Sequence, residues 1–275
     1  MKLNLKKKHT HINGIYDYLG ETRSLKQENG EIEIEVDYTW DFNSDPLITP
    51  TIIHEWRYLD KLISKRVFSD AKSVLSIGGG GSSRTHEYLS DTTKFFTILN
   101  TGKWDLEFAK TPPKQIKTFL IRAVAEDIPI LDEEVDAIEV PATLDHVIDA
   151  KKVIDESFRI LRDKGIIGIT LGNSHSWYRK LVKILKISIY DNHEHHHNAH
   201  FTPKDVELLL VSAGFINVKT IGTAYLKLPK RIEKKISSSS NLMIHRFISN
   251  VVLRIFFGNH SGGMFLTYAM KSKKE

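Results

Sequence analysis

The sequence contains no cysteine, and no apolar stretch continues its basic N-terminus, Met1–Lys8. The lack of cysteine excludes disulfides and thiolate metal sites, and it suits the reducing cytoplasm, where we expect the protein to be. Because the basic residues are not followed by an apolar run, we expect no secretory signal peptide. The charge of +5 and pI near 9.1 favour anionic partners. The lysines are scattered without base-stacking aromatic residues, so we expect no nucleic-acid partner.

The most informative segment is an apolar run that breaks into glycines between Val74 and Arg84. Its residues, VLSIGGGGSSR, predict a strand, a tight turn and the start of a helix. Glycine is required where the backbone turns sharply and approaches a nucleotide-like ligand, because a Cβ would clash there. A turn that holds no ligand has the same composition, so this segment is weak evidence by itself.

The segments that follow the glycines alternate between strand and helix patterns. Strands are predicted over 95–100, 136–140 and 166–171, and a helix with apolar positions Val153, Ile154, Phe158 and Leu161 stops at Lys164-Gly165. Such alternation predicts an α/β fold, a doubly wound and mostly parallel sheet that binds its ligand at the carboxyl ends of the strands. Residues 218–226 and 264–270 are predicted to close the sheet as an antiparallel pair.

Over roughly residues 70–225, this series of motifs resembles the class I S-adenosylmethionine-dependent methyltransferases, especially the branch often labelled type 11. The resemblance implies S-adenosylmethionine as cofactor, a main-chain cradle at the glycines for its methionine part, and contacts to the ribose, the adenine and the ammonium group. The residues that it assigns to these contacts are Ile77, Gly78, Gly79, Gly80, Asn100, Ala125, Glu126 and Val140. Residues 144–149 correspond to the stretch beside the methyl-transfer site. It also matches Asp136, Glu156, Arg159 and Leu161, which we interpret as supporting the fold.

The sequence departs from the pattern of this family at four positions. The family usually has an acid where this chain has Ser76 and Asn100, often an acid at Val124, and a third glycine at Ser82. Each missing acid removes a charge-assisted hydrogen bond to the cofactor, which is worth about 1.5 to 3 kcal/mol when buried. Asn100 can still accept through its amide oxygen, and Glu126 offers a nearby carboxylate. The pattern therefore indicates a divergent site.

Composition divides the chain into three parts. Residues 1–50 form an N-terminal extension whose Glu31–Tyr38 segment alternates acidic and apolar residues, as in a half-buried strand. This extension is either a lid over the substrate or a packing arm. A helix follows over about Pro50–Phe68. The methyltransferase core is predicted over 51–227 and 262–275, with a basic amphipathic insertion over 228–261.

A histidine-rich loop follows a basic helix through Ser176, Arg179, Lys180, Lys183 and Lys186. Imidazoles and carboxylates in the loop, residues 191–200, could bind a divalent metal. Their spacing is irregular and adjacent histidines cannot all face one ion, so we favour a polar loop over the active site and predict no metal ligand. A further helix begins with Thr202 as N-cap and Pro203 in its first turn, and it stops at Gly214.

The insertion combines basic residues with an apolar face. Arg246, Asn250 and Arg254 interrupt this face, so the segment is unsuited to spanning a bilayer. We expect a packed helical cap over the pocket, and a contact with a membrane surface or a lipid-linked substrate is the alternative. The apolar positions of the face are Ile244, Phe247, Ile248, Val251, Val252 and Ile255.

The sequence as a whole predicts a methyltransferase that methylates a hydroxyl of a small molecule, sugar or lipid-linked intermediate. The protein must hold the acceptor in line with the methyl group and remove a proton, for which a histidine is suited. The candidate bases are His146, His193, His195 and His200. Two other functions stay open: a scaffold that kept the fold without catalysis, and a metal-dependent enzyme that uses the 193–200 loop. The sequence leaves the oligomeric state undetermined.

Overall fold

The computed structural model describes the chain except for residues 5–6, 23, 27–32, 36–49, 81–83, 113–114, 185–199, 227–238 and 273–275. In the described part, nine strands form one sheet in the order β1-β2-β7-β6-β5-β8-β9-β11-β10. The bounds of these strands are β1 Thr10–Ile12, β2 Ile15–Asp17, β5 Ser73–Ile77, β6 Phe95–Asn100, β7 Lys117–Arg122, β8 Val135–Pro141, β9 Leu161–Gly172, β10 Phe215–Thr223 and β11 Met264–Lys271. Strands β3 (Ser24–Lys26) and β4 (Glu33–Glu35) form a separate antiparallel pair.

The central strands are parallel and the C-terminal strands are antiparallel, as the sequence predicts. Strands β7, β6, β5, β8 and β9 pair in parallel, while β11 pairs antiparallel with both β9 and β10. Parallel strands require crossover connections, and helices supply most of these. The helices are α1 Pro50–Arg66, α2 Lys103–Glu107, α3 Ala150–Ile160, α4 Trp177–Ile184, α5 Pro203–Ser212, α6 Ser239–Phe247 and α7 Leu253–Phe257. A 3₁₀ turn spans Thr85–Glu87 and a π-helix spans Ile248–Val252.

Two hydrophobic cores lie on opposite faces of the sheet. Adjacent residues of β5 alternate between them: Val74 packs with Leu59 and Ile63 of α1, whereas Leu75 packs with Val153 of α3. This alternation follows from the two-residue period of a strand. Because both faces are covered, all five residues of β5 are buried, and the strand reads as a continuous apolar run apart from its serines.

Side-chain caps fix the start of two helices. The carboxylate of Asp149 accepts from Lys152 N at the start of α3 over 3.1 Å. Thr202 and Asp205 form a reciprocal capping box at the start of α5, with Pro203 in the first turn, as predicted. The predicted stop at Gly214 is also confirmed, because this glycine has a positive φ of 94°.

The predicted end of α3 at Lys164-Gly165 is wrong. The helix ends at Ile160, and β9 begins at Leu161 and continues through both residues. The positive φ of 63° falls on Lys164 and not on the glycine. Gly165 is needed for space, because a Cβ there would lie 2.9 Å from Arg162 O and 3.0 Å from Asp136 O.

An N-terminal hairpin extends the sheet, although the sequence analysis did not predict it. Strands β1 and β2 are joined at Asn13 and Gly14, whose φ values of 52° and 81° are typical of a type I′ turn. The Asn-Gly pair between apolar residues is the signal that identifies this hairpin. Arg122 of β7 holds it through Asp17 Oδ2, 3.2 Å from its Nη1. Of the predicted strand over 31–38, residues 33–35 form β4, and the other residues lie outside the described part.

The helical insertion is not the packed apolar cap that its pattern suggests. Ile244, Phe247, Ile248 and Ile255 are exposed, while Val251 and Val252 are half-buried. The polar residues Ser249 and Asn250 are instead fully buried. The basic residues Lys230, Arg231, Lys234 and Lys235 at the start of the insertion lie outside the described residues.

Candidate active site

The glycine turn begins where β5 ends at Ile77, at the carboxyl edge of the parallel strands. Gly78 has a φ of 78°, and its N–H donates to Leu99 O over 2.7 Å. A Cβ on Gly78 would lie 2.1 Å from Thr143 Oγ1, and one on Gly80 would lie 2.7 Å from Asp105 Oδ1. Both positions therefore require glycine, and the turn brings its backbone against the loop after β8.

Asn100 lies at the end of β6 and supports the glycine turn. Its Nδ2 donates to Gly79 O over 2.9 Å, and its Oδ1 accepts from Gly102 N over 2.9 Å. Each polar atom of the amide therefore has a partner within the protein. An amide oxygen has two lone pairs, so Oδ1 can still accept one further hydrogen bond at this edge.

Glu126 anchors the loop that follows β8. Its Oε1 accepts from Ile148 N over 2.8 Å and from Asp149 N over 3.3 Å. Ala125 and Val140 are both buried. Since β7 and β8 are strands of the same sheet, their carboxyl ends bring Ala125, Glu126 and Val140 to the edge at which the glycine turn begins.

A buried carboxylate supports the glycine turn through the residues that precede and follow it. Glu139 of β8 is 3 % exposed and accepts from Ser76 Oγ over 2.8 Å and from Thr85 Oγ1. Burial raises the pKa of Glu139 to about 7, against the two hydrogen bonds that lower it. Ser76, which lacks the usual acid of the family, thus has a carboxylate beside it, contributed by the neighbouring strand.

Glu139 is absent from the site residues predicted above, although its sequence signal is simple. A glutamate within the apolar run Ala137-Ile138-Glu139-Val140 must be buried or interrupt the strand, and a buried carboxylate requires hydrogen-bond donors. The ion pair next to this cluster, between Arg84 Nη2 and Asp60 Oδ2 at 2.6 Å, was missed too.

A second buried carboxylate, Glu55 of α1, was also missed. Its Oε2 accepts from Asn250 Nδ2 over 2.6 Å, and burial raises its pKa to about 7. No sequence signal relates these residues, because 195 positions separate them. Their contact attaches the π-helix of the insertion to α1.

The candidate bases differ in how far the structure describes them. His146 follows β8, its side chain is 38 % exposed, and its Nε2 lies 3.8 Å from Asp145 Oδ1. The main-chain N–H of His146 donates to Thr143 O over 2.9 Å, so His146 belongs to the turn that packs against Gly78. His200 is exposed. His193 and His195 lie outside the described residues.

Asp136, Glu156 and Arg159, which we interpret as supporting the fold, form two separate groups of polar contacts. Asp136 accepts from Ser73 and from Arg162 Nη1, the latter over 2.7 Å, and these bonds hold its pKa below the usual value despite its burial. Arg159 Nη2 lies 2.8 Å from Glu156 Oε2. Among the described residues, no group of three or more His, Asp or Glu could hold a metal ion. The histidines of 193–197, on which the metal hypothesis depended, lie outside that part.

Comparison with known proteins identifies a methyltransferase domain. Residues 75–169 match the family model described as a methyltransferase domain. These residues run from β5 to β9 and include the glycine turn, Asn100, Glu126 and His146. The matched residues form an S-adenosylmethionine-dependent methyltransferase domain. Its cofactor is S-adenosylmethionine.

Solved structures share the fold of this methyltransferase at low sequence identity. A SAM-dependent methyltransferase from Thermotoga maritima superposes with a TM-score of 0.54 at 19% identity, over 80% of this chain and 92% of the other. A SAM-dependent methyltransferase from Archaeoglobus fulgidus gives a TM-score of 0.50 at 12% identity, over 81% and 95%. No curated protein matches the sequence. Among the described helices, none has the length and apolarity needed to cross a membrane.

The residues of the methyltransferase fit its cofactor. The turn at Gly78, Gly79 and Gly80 lies at the carboxyl edge of the parallel strands, where a sheet of this kind binds its ligand, and its Cα atoms pack against Thr143, Ser76 and Asp105. Asn100 Oδ1 retains a lone pair at the same edge for a hydroxyl. Because Glu139 supplies the carboxylate absent at Ser76, the missing acid does not leave the turn unsupported.

Proposed function

We propose that this methyltransferase methylates a hydroxyl group of a small molecule, a sugar or a lipid-linked intermediate, with His146 as the general base. The observation that carries this proposal is the packing of the Thr143–His146 turn against Gly78. The half-exposed side chain of His146 belongs to the same turn, three residues after the threonine that packs against Gly78. The assignment of Ile77, Gly78, Gly79, Gly80, Asn100, Ala125, Glu126 and Val140 to the cofactor is part of this proposal.

The bound cofactor supplies a methyl group attached to a positively charged sulfur. The acceptor oxygen forms a bond to that carbon as the carbon–sulfur bond breaks, and the hydroxyl proton must leave. His146 can take this proton on its imidazole, and the carboxylate of Asp145 at 3.8 Å favours the resulting charge. The remaining task of the protein is to align the acceptor, which requires no covalent step.

The histidines of the 193–200 loop are the alternative bases, and only activity measurements distinguish them from His146. We further propose a membrane-peripheral protein, since the insertion carries exposed apolar side chains such as Ile255 and Phe256.

A screen of hydroxylated acceptors with isotope-labelled S-adenosylmethionine tests the reaction by mass shift. We expect His146→Ala to lower kcat by about 10² to 10⁴ and to leave cofactor affinity nearly unchanged, because a base acts chiefly in the transition state. His11→Ala, at an exposed position of β1, is the matched control. Labelling of amines alone would contradict the proposed acceptor. Full activity of His146→Ala would reject this base, and loss of activity in a loop variant would assign the role to that histidine.

A further inference from the structure

The helical insertion is attached to the core through its polar side chains. Asn250 Oδ1 accepts from Ala224 N over 2.8 Å, while Asn250 Nδ2 donates to the buried Glu55. Ser249 Oγ accepts from Leu226 N over 3.1 Å. These bonds join the π-helix to the end of β10 and to α1. The orientation of the insertion is therefore set by buried hydrogen bonds.

The opposite side of the insertion is apolar and exposed. Ile255 and Phe256 are each 77 % exposed. A helix at a water-exposed surface normally buries its apolar side, so this arrangement is inverted. An exposed apolar cluster of this kind marks an interaction site. We use the name insertion face for its residues, Met243, Ile244, Phe247, Ile248, Ile255, Phe256 and Phe257.

Helix α4 adjoins the insertion face and adds to it. Trp177 of α4 stacks on Phe257 with a centroid distance of 4.7 Å and an interplanar angle of 1°. Leu181 and Ile184 of α4 are exposed, the latter by 76 %. Two separate segments of the chain thus meet at an aromatic stack and both present exposed apolar side chains.

The charge of both segments has one sign. The sequences of 177–184 and 239–257 contain no aspartate or glutamate. Their basic residues include Arg179, Lys180, Arg246 and Arg254. Apolar side chains together with cations match the acyl boundary and the headgroups of an anionic lipid surface. A protein partner would be recognised by shape and by hydrogen bonds, and the exposed side chains of the insertion face are apolar groups that form no hydrogen bonds.

We propose that the insertion face and α4 dock on an anionic membrane surface. The insertion leaves the sheet after Thr223 and returns at Met264, which pairs with Gly172 at the carboxyl end of β9. That end is the edge at which the glycine turn lies. A docked membrane therefore lies on the side of the sheet that carries the active site, where a lipid-linked acceptor could reach it. The docking rests on the insertion and α4 alone and does not require the proposed acceptor or base.

Cosedimentation of the full chain with vesicles tests the docking. Vesicles of phosphatidylcholine with about one third phosphatidylserine should bind the protein, and neutral phosphatidylcholine vesicles should bind it at least tenfold more weakly. We expect Ile255→Ser with Phe256→Ser to lower binding at least tenfold. Lys180→Gln and Arg254→Gln should each lower it roughly fivefold and reduce its dependence on salt. Ile255 and Phe256 are both exposed, so the temperature of thermal unfolding should be unchanged in this variant.

The matched control is Leu208→Ser with Val211→Ser on α5. These residues are 59 % and 58 % exposed, but α5 carries the acids Asp205 and Glu207, and we expect vesicle binding to persist. Absence of vesicle binding, or equal binding to neutral and anionic vesicles, would overturn the proposal. The proposal would also be overturned if vesicles fail to bind and sedimentation shows a dimer that the Ile255→Ser, Phe256→Ser variant dissociates. The insertion face would then bind a second copy of the chain. Methyl transfer to a soluble acceptor, measured in parallel, reports on the reaction separately.

Discussion

Ser76 Oγ donates a hydrogen bond of 2.8 Å to Glu139 Oε1, and this bond joins the parallel strands β5 and β8 beneath the glycine turn. The turn rests directly on the serine, because a Cβ on Gly79 would lie 2.5 Å from Ser76 Oγ. Thr85, which follows the turn, donates to the same carboxylate oxygen. One buried carboxylate therefore holds both ends of the segment that we assign to the cofactor.

Replacing Glu139 by leucine should destabilise the protein and weaken cofactor binding. The hydroxyls of Ser76 and Thr85 would lose their acceptor inside the fold, at about 1 to 3 kcal/mol for each group. We expect cofactor affinity, measured by calorimetry, to fall at least tenfold because the turn loses its support. The triple variant Ser76→Ala, Thr85→Val, Glu139→Leu should recover much of the stability, since it removes the orphaned hydroxyls. No recovery would show that the cavity left by the carboxyl dominates.

Glu139 also makes the stability depend on pH. Its pKa is about 7 in the folded protein and near 4.5 when unfolded, so between these values the folded state holds a proton that the unfolded chain has released. The free energy of unfolding should therefore fall as the pH rises from 4.5 to above 7, at about 1.4 kcal/mol per pKa unit. Glu139→Gln keeps an acceptor oxygen and cannot ionise, so it should remove this contribution. Urea unfolding at pH 5, 6, 7 and 8 measures the difference.

Glu55 makes a second contribution to the pH dependence. Its pKa is also raised to about 7, so the free energy of unfolding that it contributes falls over the same pH range. Glu139→Gln and Glu55→Gln should each remove part of the slope, and the double variant should remove both parts. His54 and His86, whose pKa values are lowered mainly by burial, act in the opposite sense below pH 6.5 and are common to all variants. A slope unchanged by both substitutions would contradict the burial of these carboxyls.

Substitutions at Gly80 distinguish a steric effect on the fold from a steric effect on cofactor binding. Gly80→Ala places a methyl group 2.7 Å from the side chain of Asp105, so we expect lower stability and loss of cofactor affinity. Combining it with Asp105→Gly removes the clashing atoms, which include Asp105 Cβ at 2.7 Å, and should restore the stability to that of Asp105→Gly alone. Affinity should remain low in the double variant if the methyl group also obstructs the cofactor. Full recovery of affinity would assign the defect to Asp105 alone.

The structure reverses what the sequence suggests for Asn100→Asp. From the family pattern, an acid at this position should bind the ribose more tightly than an amide. In the fold, Asn100 Nδ2 donates to Gly79 O, and an aspartate would place an oxygen against that carbonyl. We expect a loss of about 1 to 3 kcal/mol in unfolding free energy and no gain in affinity. Tighter binding in calorimetry would show that this side chain turns toward the ribose when the cofactor binds.

The sequence predicted most of the core because its signals are local. The glycine run, the alternation of strands and helices, the Thr202 cap and the stop at Gly214 each depend on residues within a few positions of one another. The hairpin at Asn13-Gly14 has an equally local signal, although it was not among the predicted elements. The end of α3 was misplaced, because strand pairing of β9 with β8 begins before the Lys164-Gly165 pair.

The sequence by itself determined the alternation of strands and helices after the glycine turn, the position of that turn and the resemblance to methyltransferases, since these follow from the period of apolar residues and from the need for glycine. Only the tertiary structure decided what the buried charges contact. Glu139 contacts Ser76 across 63 positions and Glu55 contacts Asn250 across 195. No repeating sequence pattern predicts hydrogen bonds between residues so far apart in the chain. The same reason explains the insertion, whose amphipathic pattern is clear but whose orientation is set by which side finds buried partners on the core.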